Sequence, residues 1–279
     1  MRVNEEHVTH PDRAFRFLRF ETPGFAGPRH RHLQLELTWI EQGAGVRFVG
    51  DSAAPFAGGD LVLLGPLVPH AWLSTGAEGG LPGQVTVVQF PLALLEQPLL
   101  PELTALRPLA EQAGRGLAIG GACHAAVTET LVAMREADAL ARLGGLLGIL
   151  RCLWLHPGDL RPLATSALRS GGPVGSERRI DRVIDWVHRH LHEDLSPQSA
   201  ARVAHVSPAA FSRFFRRETG KTWSAYLNDV RCSQACVLLK QSGQPIGSVA
   251  QACGYRTMSH FNAEFRVRYG RTPREHRDG

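Results

Sequence analysis

Ser207-Pro208-Ala209-Ala210-Phe211-Ser212-Arg213-Phe214-Phe215-Arg216-Arg217 decides how the back of this chain folds, because its pattern returns fifty positions later. The second copy runs Thr257-Met258-Ser259-His260-Phe261-Asn262-Ala263-Glu264-Phe265-Arg266. Phe211 matches Phe261, Phe215 matches Phe265 and Arg216 matches Arg266, while Gly220 and Thr222 match Gly270 and Thr272. Ser207 and Thr257 stand where helix N-caps belong, each offering a hydroxyl to an otherwise unpaired backbone N–H. A short apolar helical pattern precedes each copy: Ala200, Val203 and Ala204 in the first, Val249, Ala250 and Cys253 in the second. Each copy therefore reads as helix, tight turn, second helix and glycine stop. The chain is expected to carry two helix-turn-helix units.

The second helix of such a unit enters the DNA major groove, with its flanks on phosphates. Phenylalanines four apart fall on the core side, which leaves Ala209, Ser212, Arg213 and Arg216 facing outward in the first copy, with Arg217 beside them. Arg213 suits a guanine edge, a contact worth about 1–3 kcal/mol of discrimination. Arg216 and Arg217 suit phosphates, which position a protein without carrying sequence information. In the second copy the outward set is Ser259, His260, Asn262 and Ala263, with Met258 and Arg266 at the ends of the same helix. Asn262 matches adenine, and His260 is either a base or phosphate contact or an ordinary surface histidine.

Charge points the same way. Residues 173–279 hold 17 Lys+Arg against 10 Asp+Glu, a net of +7, while residues 1–172 hold 14 against 16, a net of −2. A basic rear beside a mildly acidic front suits a polyanion at one end only, although a solvated basic face without a partner gives the same balance. With 279 residues the chain is long enough for two domains. No apolar run is long enough to span a bilayer, and the polar start Met1-Arg2-Val3-Asn4-Glu5-Glu6 does not read as a secretory signal. The five cysteines are scattered without a C-x-x-C, which fits a reducing cytoplasm. Cys232 and Cys236 share a helix face and read as small buried hydrophobes sooner than as a redox pair.

Ahead of the repeat, Leu33-Gln34-Leu35-Glu36-Leu37-Thr38-Trp39-Ile40 alternates apolar and polar like a half-buried strand. Val46–Val49, Leu61–Leu64 and Val85–Phe90 read as further strands, separated by glycine-containing turns. Short strands so spaced make a small barrel or sandwich. From about Leu92 to Leu155 the period becomes helical, with Leu140, Leu143, Leu147, Leu150 and Trp154 as a stripe that Leu146, Ile149 and Leu153 widen. That helix packs on the strands, on a second subunit, or on both. Residues 157–175, rich in Gly and Pro, read as a linker. Trp223 to Leu239 reads as a long helix separating the two units.

Residues 177–277 resemble the AraC/XylS family of bacterial transcription regulators. The resemblance rests on Ala204 with Ser207-Pro208, the Phe211-to-Arg216 run, Glu218-Thr219-Gly220, Tyr226-to-Arg231, Val249-Ala250, Cys253-Gly254-Tyr255, Phe261 to Phe265 and Gly270-Arg271-Thr272-Pro273. It implies seven helices, with the two units joined by a long one and set on adjacent major-groove segments. Many relatives have an arginine where this chain has Ala263, so most direct reading is expected from the first unit. The front half resembles the cupin superfamily in the spacing of Gly24, His30, His32, Glu36 and Gly43, with His70 as the second motif's histidine and Leu67 where that motif has a glycine. On a strand His30, His32, Gln34 and Glu36 alternate onto one face. With His70 they can hold a divalent metal, line an effector pocket, or serve structure alone. Trp39 and Trp72 read as core.

The expected fold is α+β in two domains. A cupin-like effector-sensing β-barrel takes residues 1–112 and a helical dimerisation or packing region 113–156. A linker over 157–175 leads to an all-α double helix-turn-helix domain over 176–279. The expected function is that of a cytoplasmic, non-enzymatic, sequence-specific transcription regulator, expected as a homodimer and controlled by a small effector. Its partners would be promoter DNA, a small effector bound at His30, His32, Glu36 and His70, and RNA polymerase, with no membrane. The alternatives are a metal-dependent cupin enzyme fused to a DNA-binding domain and a DNA-architectural protein without an effector.

Overall fold

The computed structural model describes residues 14–25, 29–74, 82–165, 176–241 and 243–278. Residues 1–13 and the part of the expected linker at 166–175 lie outside them. The alternating front of the chain forms β1 (Arg16–Thr22), β2 (Gln34–Gln42), β3 (Gly45–Val49), β4 (Ser52–Phe56), β5 (Leu61–Leu64), β6 (His70–Ser74) and β7 (Gly83–Pro91). Two 3-10 turns lead into α1 (Arg107–Ala113), β8 (Leu117–Ile119), α2 (Gly121–Ala133), α3 (Ala139–Leu155) and β9 (Leu160–Pro162). Seven helices follow among the described residues: α4 (Ser176–Arg189), α5 (Pro197–Ala204), α6 (Pro208–Thr219), α7 (Trp223–Gln241), α8 (Ile246–Ala252), α9 (Met258–Tyr269) and α10 (Pro273–Asp278).

Among the described residues the strands form no closed barrel. They form a six-stranded sheet in the order β1-β7-β2-β5-β8-β9 and a three-stranded sheet in the order β4-β3-β6. An isolated bridge, His30 to His70, ties the stretch before β2 to β6 of the smaller sheet. β8 and β9, from the stretches read as helix and linker, complete one edge of the larger sheet. Strand alternation sorts the larger sheet's side chains. Leu35, Leu37, Leu61, Leu63, Val88 and Phe90 face back onto α2 and α3, where they share a core with Cys123, Val127, Leu146, Ile149 and Leu153. Ile40, Val62, Leu64, Val85 and Val87 face the smaller sheet and meet Val49, Phe56 and Trp72.

α3 turns out differently from its stripe. Its buried members are Leu146, Ile149, Leu150 and Leu153, while Leu140 is 79% exposed and Trp154 48% exposed. The helix is apolar all round, so its period alone does not select the inner face. Gly144 and Gly148 leave open space on the outer side.

The helical rear is assembled by local signals. Ser207 accepts from Ala210 N and Thr257 accepts from His260 N, so both N-caps form. Gly220 and Gly270 close their helices in the left-handed conformation, at φ 75° and 68°. Phe211, Phe215, Phe261 and Phe265 are completely buried. The first pair packs with Trp223 and Tyr226, the second with Tyr255 and Tyr269. No helix among the described residues is long and apolar enough to cross a membrane.

The smaller sheet joins the two halves. Its outer residues Val46, Phe48 and Ala71 enter the same core as Ile180, Val183, Ile184 and Val187 of α4. Phe48 and His188 stack with ring centres 3.9 Å apart, and Ser233 of α7 donates to Ala53 O at 3.1 Å.

Candidate nucleic-acid interface and ligand site

α6 and α9 present the predicted reading residues to solvent. Ala209, Ser212, Arg213, Arg216 and Arg217 are exposed on α6, and Met258, Ser259, His260, Asn262 and Arg266 on α9. The cause is the phenylalanine spacing: with positions four apart clamped inward, the residues between them must point out. Arg213 and Arg216 make no ion pair among the described residues, so their charge is free for phosphate or base. Arg217 is partly engaged, bonding Glu218 Oε1 at 2.9 and 2.7 Å while lying over the Phe214 ring. His260 is also partly tied, 3.6 Å from Glu264 Oε1 and edge-on to Tyr255. α7 runs unbroken between the two units, as the sequence required.

These features have counterparts in known proteins. The helix-turn-helix domain family matches residues 200–279. The C-terminal domain is of the AraC/XylS type. Its relatives include the HTH-type transcriptional activator RhaS of Enterobacter sp. (strain 638), 30% identical over 108 residues, which are 39% of this chain and 39% of the activator. An uncharacterized HTH-type transcriptional regulator of Bacillus subtilis, YobQ, is 32% identical over 95 residues, covering 34% of this chain and 39% of the regulator. A crystal structure of an AraC-type transcriptional regulator from Chromobacterium violaceum is 28% identical, covering 38% of this chain and 95% of that one, with a TM-score of 0.35. The chain thus spans about two fifths of the length of the curated relatives it matches, and the AraC-type domain is the part they share.

The four front-half residues come together, though not along a continuous strand. β2 begins only at Gln34, and His30 reaches the cluster through its bridge to His70. The ligating atoms of His30, His32, Glu36 and His70 lie within 4.8 Å of one another. Glu36 accepts from Gln89 Nε2 at 2.8 Å and from Thr38 Oγ1 at 2.5 Å, and its Oε2 lies 2.8 Å from His32 Nε2. Burial opposes the charge on Glu36. His70, His32 and the Thr38 hydroxyl outweigh it and hold the carboxyl well below the usual carboxylate range. Burial pushes His70 down to about 3, against the pull of Glu36. His70 is therefore neutral at ordinary pH, and its Nδ1, 2.8 Å from Val68 O, carries the proton. Its Nε2 then presents a lone pair 3.6 Å from Glu36 Oε1, buried and without a hydrogen-bond partner. His32 faces two acceptors, Glu36 and the Gln34 carbonyl at 3.1 Å. The unpartnered His70 Nε2 and the donor set of imidazoles and one carboxylate fit a divalent metal.

A cavity of about 620 Å³ opens beside the cluster. The strand register makes its floor. Arg16, Gln89 and Glu36 form one row across β1, β7 and β2. Leu18, Val87 and Thr38 form the next, and Phe20, Val85 and Ile40 the third. The floor is polar at one end and apolar beyond it, with Ala71 and Trp72 of β6 in the lining. Trp72, expected in the core, is buried yet borders this space and donates to Asp60 at 2.9 Å. Sequence reading missed Gln89 and Arg16. Each lies on a strand whose alternation is visible, but Gln89 pairs with Glu36 across 53 residues of sequence, and Arg16 joins the row only through its own pairing with Gln89.

Proposed function

We propose that this protein is a ligand-responsive, sequence-specific transcription regulator. α6 and α9 enter neighbouring major-groove segments of a promoter. The carrying observation is that all ten predicted reading residues are exposed while the four phenylalanines behind them are buried. Arg213 and Asn262 read bases; Arg216, Arg217 and Arg266 hold phosphates; Ala209, Ser212, Met258, Ser259 and His260 complete the contact surface. As with other regulators of this type, the expected setting is the cytoplasm, as a homodimer with RNA polymerase as a partner. The apolar outer side of α3 supplies a dimer surface.

The effector occupies the cavity between the two sheets, with its polar group at Glu36, His30, His32 and His70. β6 supports coupling to the DNA-binding half. His70 joins the cluster and Trp72 borders the cavity, while the intervening Ala71, also at the cavity's edge, packs among the residues of α4. A ligand that displaces β6 shifts the seat of α4, and it acts only through its different affinity for the two arrangements. The unpartnered His70 Nε2 favours a second reading of the same site, a metal ion held by His30, His32, Glu36 and His70 that supplies a Lewis-acidic anchor for the ligand. Selection of bound sequences from a random DNA pool tests the main reading. It should return two short elements about one helical turn, ~34 Å, apart. Recovery of no preferred sequence would defeat it.

A further inference from the structure

α2 and α3 bring together two thiols that lie 29 residues apart in sequence. Cys123 Sγ and Cys152 Sγ are 3.1 Å from each other, nearer than the ~3.5–4.0 Å of ordinary packing between carbon atoms. Cys123 sits in the first turn of α2 and is buried, its backbone N–H donating to Asp159 Oδ2 at 2.9 Å. Cys152 sits in the last turn of α3 and is only half-buried. His156 Nδ1 lies 3.9 Å from Cys152 Sγ. We propose that Cys123 and Cys152 are a reversible dithiol–disulfide pair, oxidised by a small hydroperoxide.

The environment divides the labour. Burial, the neighbouring Cys152 sulfur and the Asp159 carboxylate push the Cys123 thiol up to about 12. Cys123 therefore stays a thiol. Cys152, only half-buried, is the one that peroxide can reach. The Cys152 sulfur attacks one peroxide oxygen; the S–O bond forms, the O–O bond breaks, and hydroxide leaves. Cys123 sulfur then attacks Cys152 sulfur; the S–S bond forms, the S–O bond breaks, and a second hydroxide leaves. The two thiol protons convert both hydroxides to water. Two thiols have lost two electrons, and one hydrogen peroxide has become two waters. A small dithiol reverses the change by exchange.

A metal site is the competing reading of the same residues, and geometry argues against it. Two thiolates at ~2.3 Å on a tetrahedral zinc ion stand about 3.8 Å apart, wider than this pair. His156 Nδ1 is already 2.9 Å from Cys152 O, and no fourth ligating residue joins the group among the described residues. The other cysteines differ. Cys232, Cys236 and Cys253 are all buried, with thiols pushed up to about 11, 12 and 12.

The test uses the full chain. One equivalent of hydrogen peroxide is added, remaining thiols are alkylated under denaturing conditions, and peptides are mapped by mass spectrometry without reduction. Free thiols should fall from five to three, with one intramolecular cross-link joining the peptides of Cys123 and Cys152, lost on adding dithiothreitol. Cys123→Ala should leave a sulfenic acid on Cys152 that dimedone traps, and Cys152→Ser should abolish both products. The wild-type map stands even if a variant fails to fold. Cys123 still fully alkylated after peroxide, a cross-link running between chains, or stoichiometric zinc protecting both thiols would each overturn the assignment.

Discussion

His188→Phe offers a direct reading of how the two halves hold together. His188 packs its ring on Phe48 of the smaller sheet, and its Nε2 is buried without a hydrogen-bond partner. Burial, with repulsion from Arg29, pushes the imidazole down to about 3 from an ordinary value of 6.5. The docked form therefore excludes the proton that the released or unfolded form takes up below pH 6.5. Docking keeps its full strength above that value and weakens as pH falls toward 3. Linkage sets the slope at about 1.4 kcal/mol per pH unit inside this window. Moving from pH 7.5 to pH 5.0 crosses about one and a half units of it, a loss of about 2 kcal/mol. Phenylalanine keeps the stacked ring and removes both the buried polar atom and the titration. Urea unfolding followed by the fluorescence of the chain's five tryptophans, Trp186 of α4 among them, measures both proteins at both pH values. The wild type should lose about 2 kcal/mol more than the variant. Equal losses would show that His188 is not sealed in the interface and would remove the basis for treating that contact as tight.

Other expectations concern the two sites. Arg213→Ala should weaken binding to the selected sequence by about 5- to 150-fold and relax preference at one position, the equivalent of ~1–3 kcal/mol. If Asn262→Ala instead abolishes selectivity while Arg213→Ala leaves it intact, the ranking of the two helices is reversed. Arg216→Ala should weaken all sequences alike and lower the slope of log K against log salt by about 1, as one phosphate contact is lost; an unchanged slope would place Arg216 off the backbone. Glu36→Gln should abolish uptake of a divalent metal in elemental analysis of untagged protein while leaving the selected DNA sequence unchanged. Metal retained by that variant would show that the cluster is not the site. Phe261→Ala should cost about 3–5 kcal/mol of stability in thermal or urea melts, and a smaller loss would mean the second unit relaxes around the gap.

The helix-turn-helix pair was legible because every signal in it is local. Caps, glycine stops and phenylalanines four apart act within a few residues, and all fall where the repeat placed them. The larger architecture depends on contacts the sequence does not announce. β8 and β9 are three-residue strands made by pairing, not by propensity. The barrel expectation failed on closure: alternation identifies strands but not whether the last sheet edge meets the first. Leu67 is instructive, since it occupies the place where the cupin motif has glycine and adopts φ 60°, the left-handed region glycine favours. Cys123 and Cys152 were invisible because only the antiparallel packing of α2 on α3 makes them neighbours.

Under the proposed function, α7 has a consequence for the target DNA. A helix of 19 residues at about 1.5 Å per residue holds the two groove-entering units at one fixed offset and one fixed rotation. Adding a single residue to it would turn the second unit by about 100° as well as pushing it outward. Operators facing such a gauge tolerate base changes one at a time, each at a graded loss, but hardly any insertion or deletion between their two halves. Divergence of its target sites should accordingly be written almost entirely in substitutions.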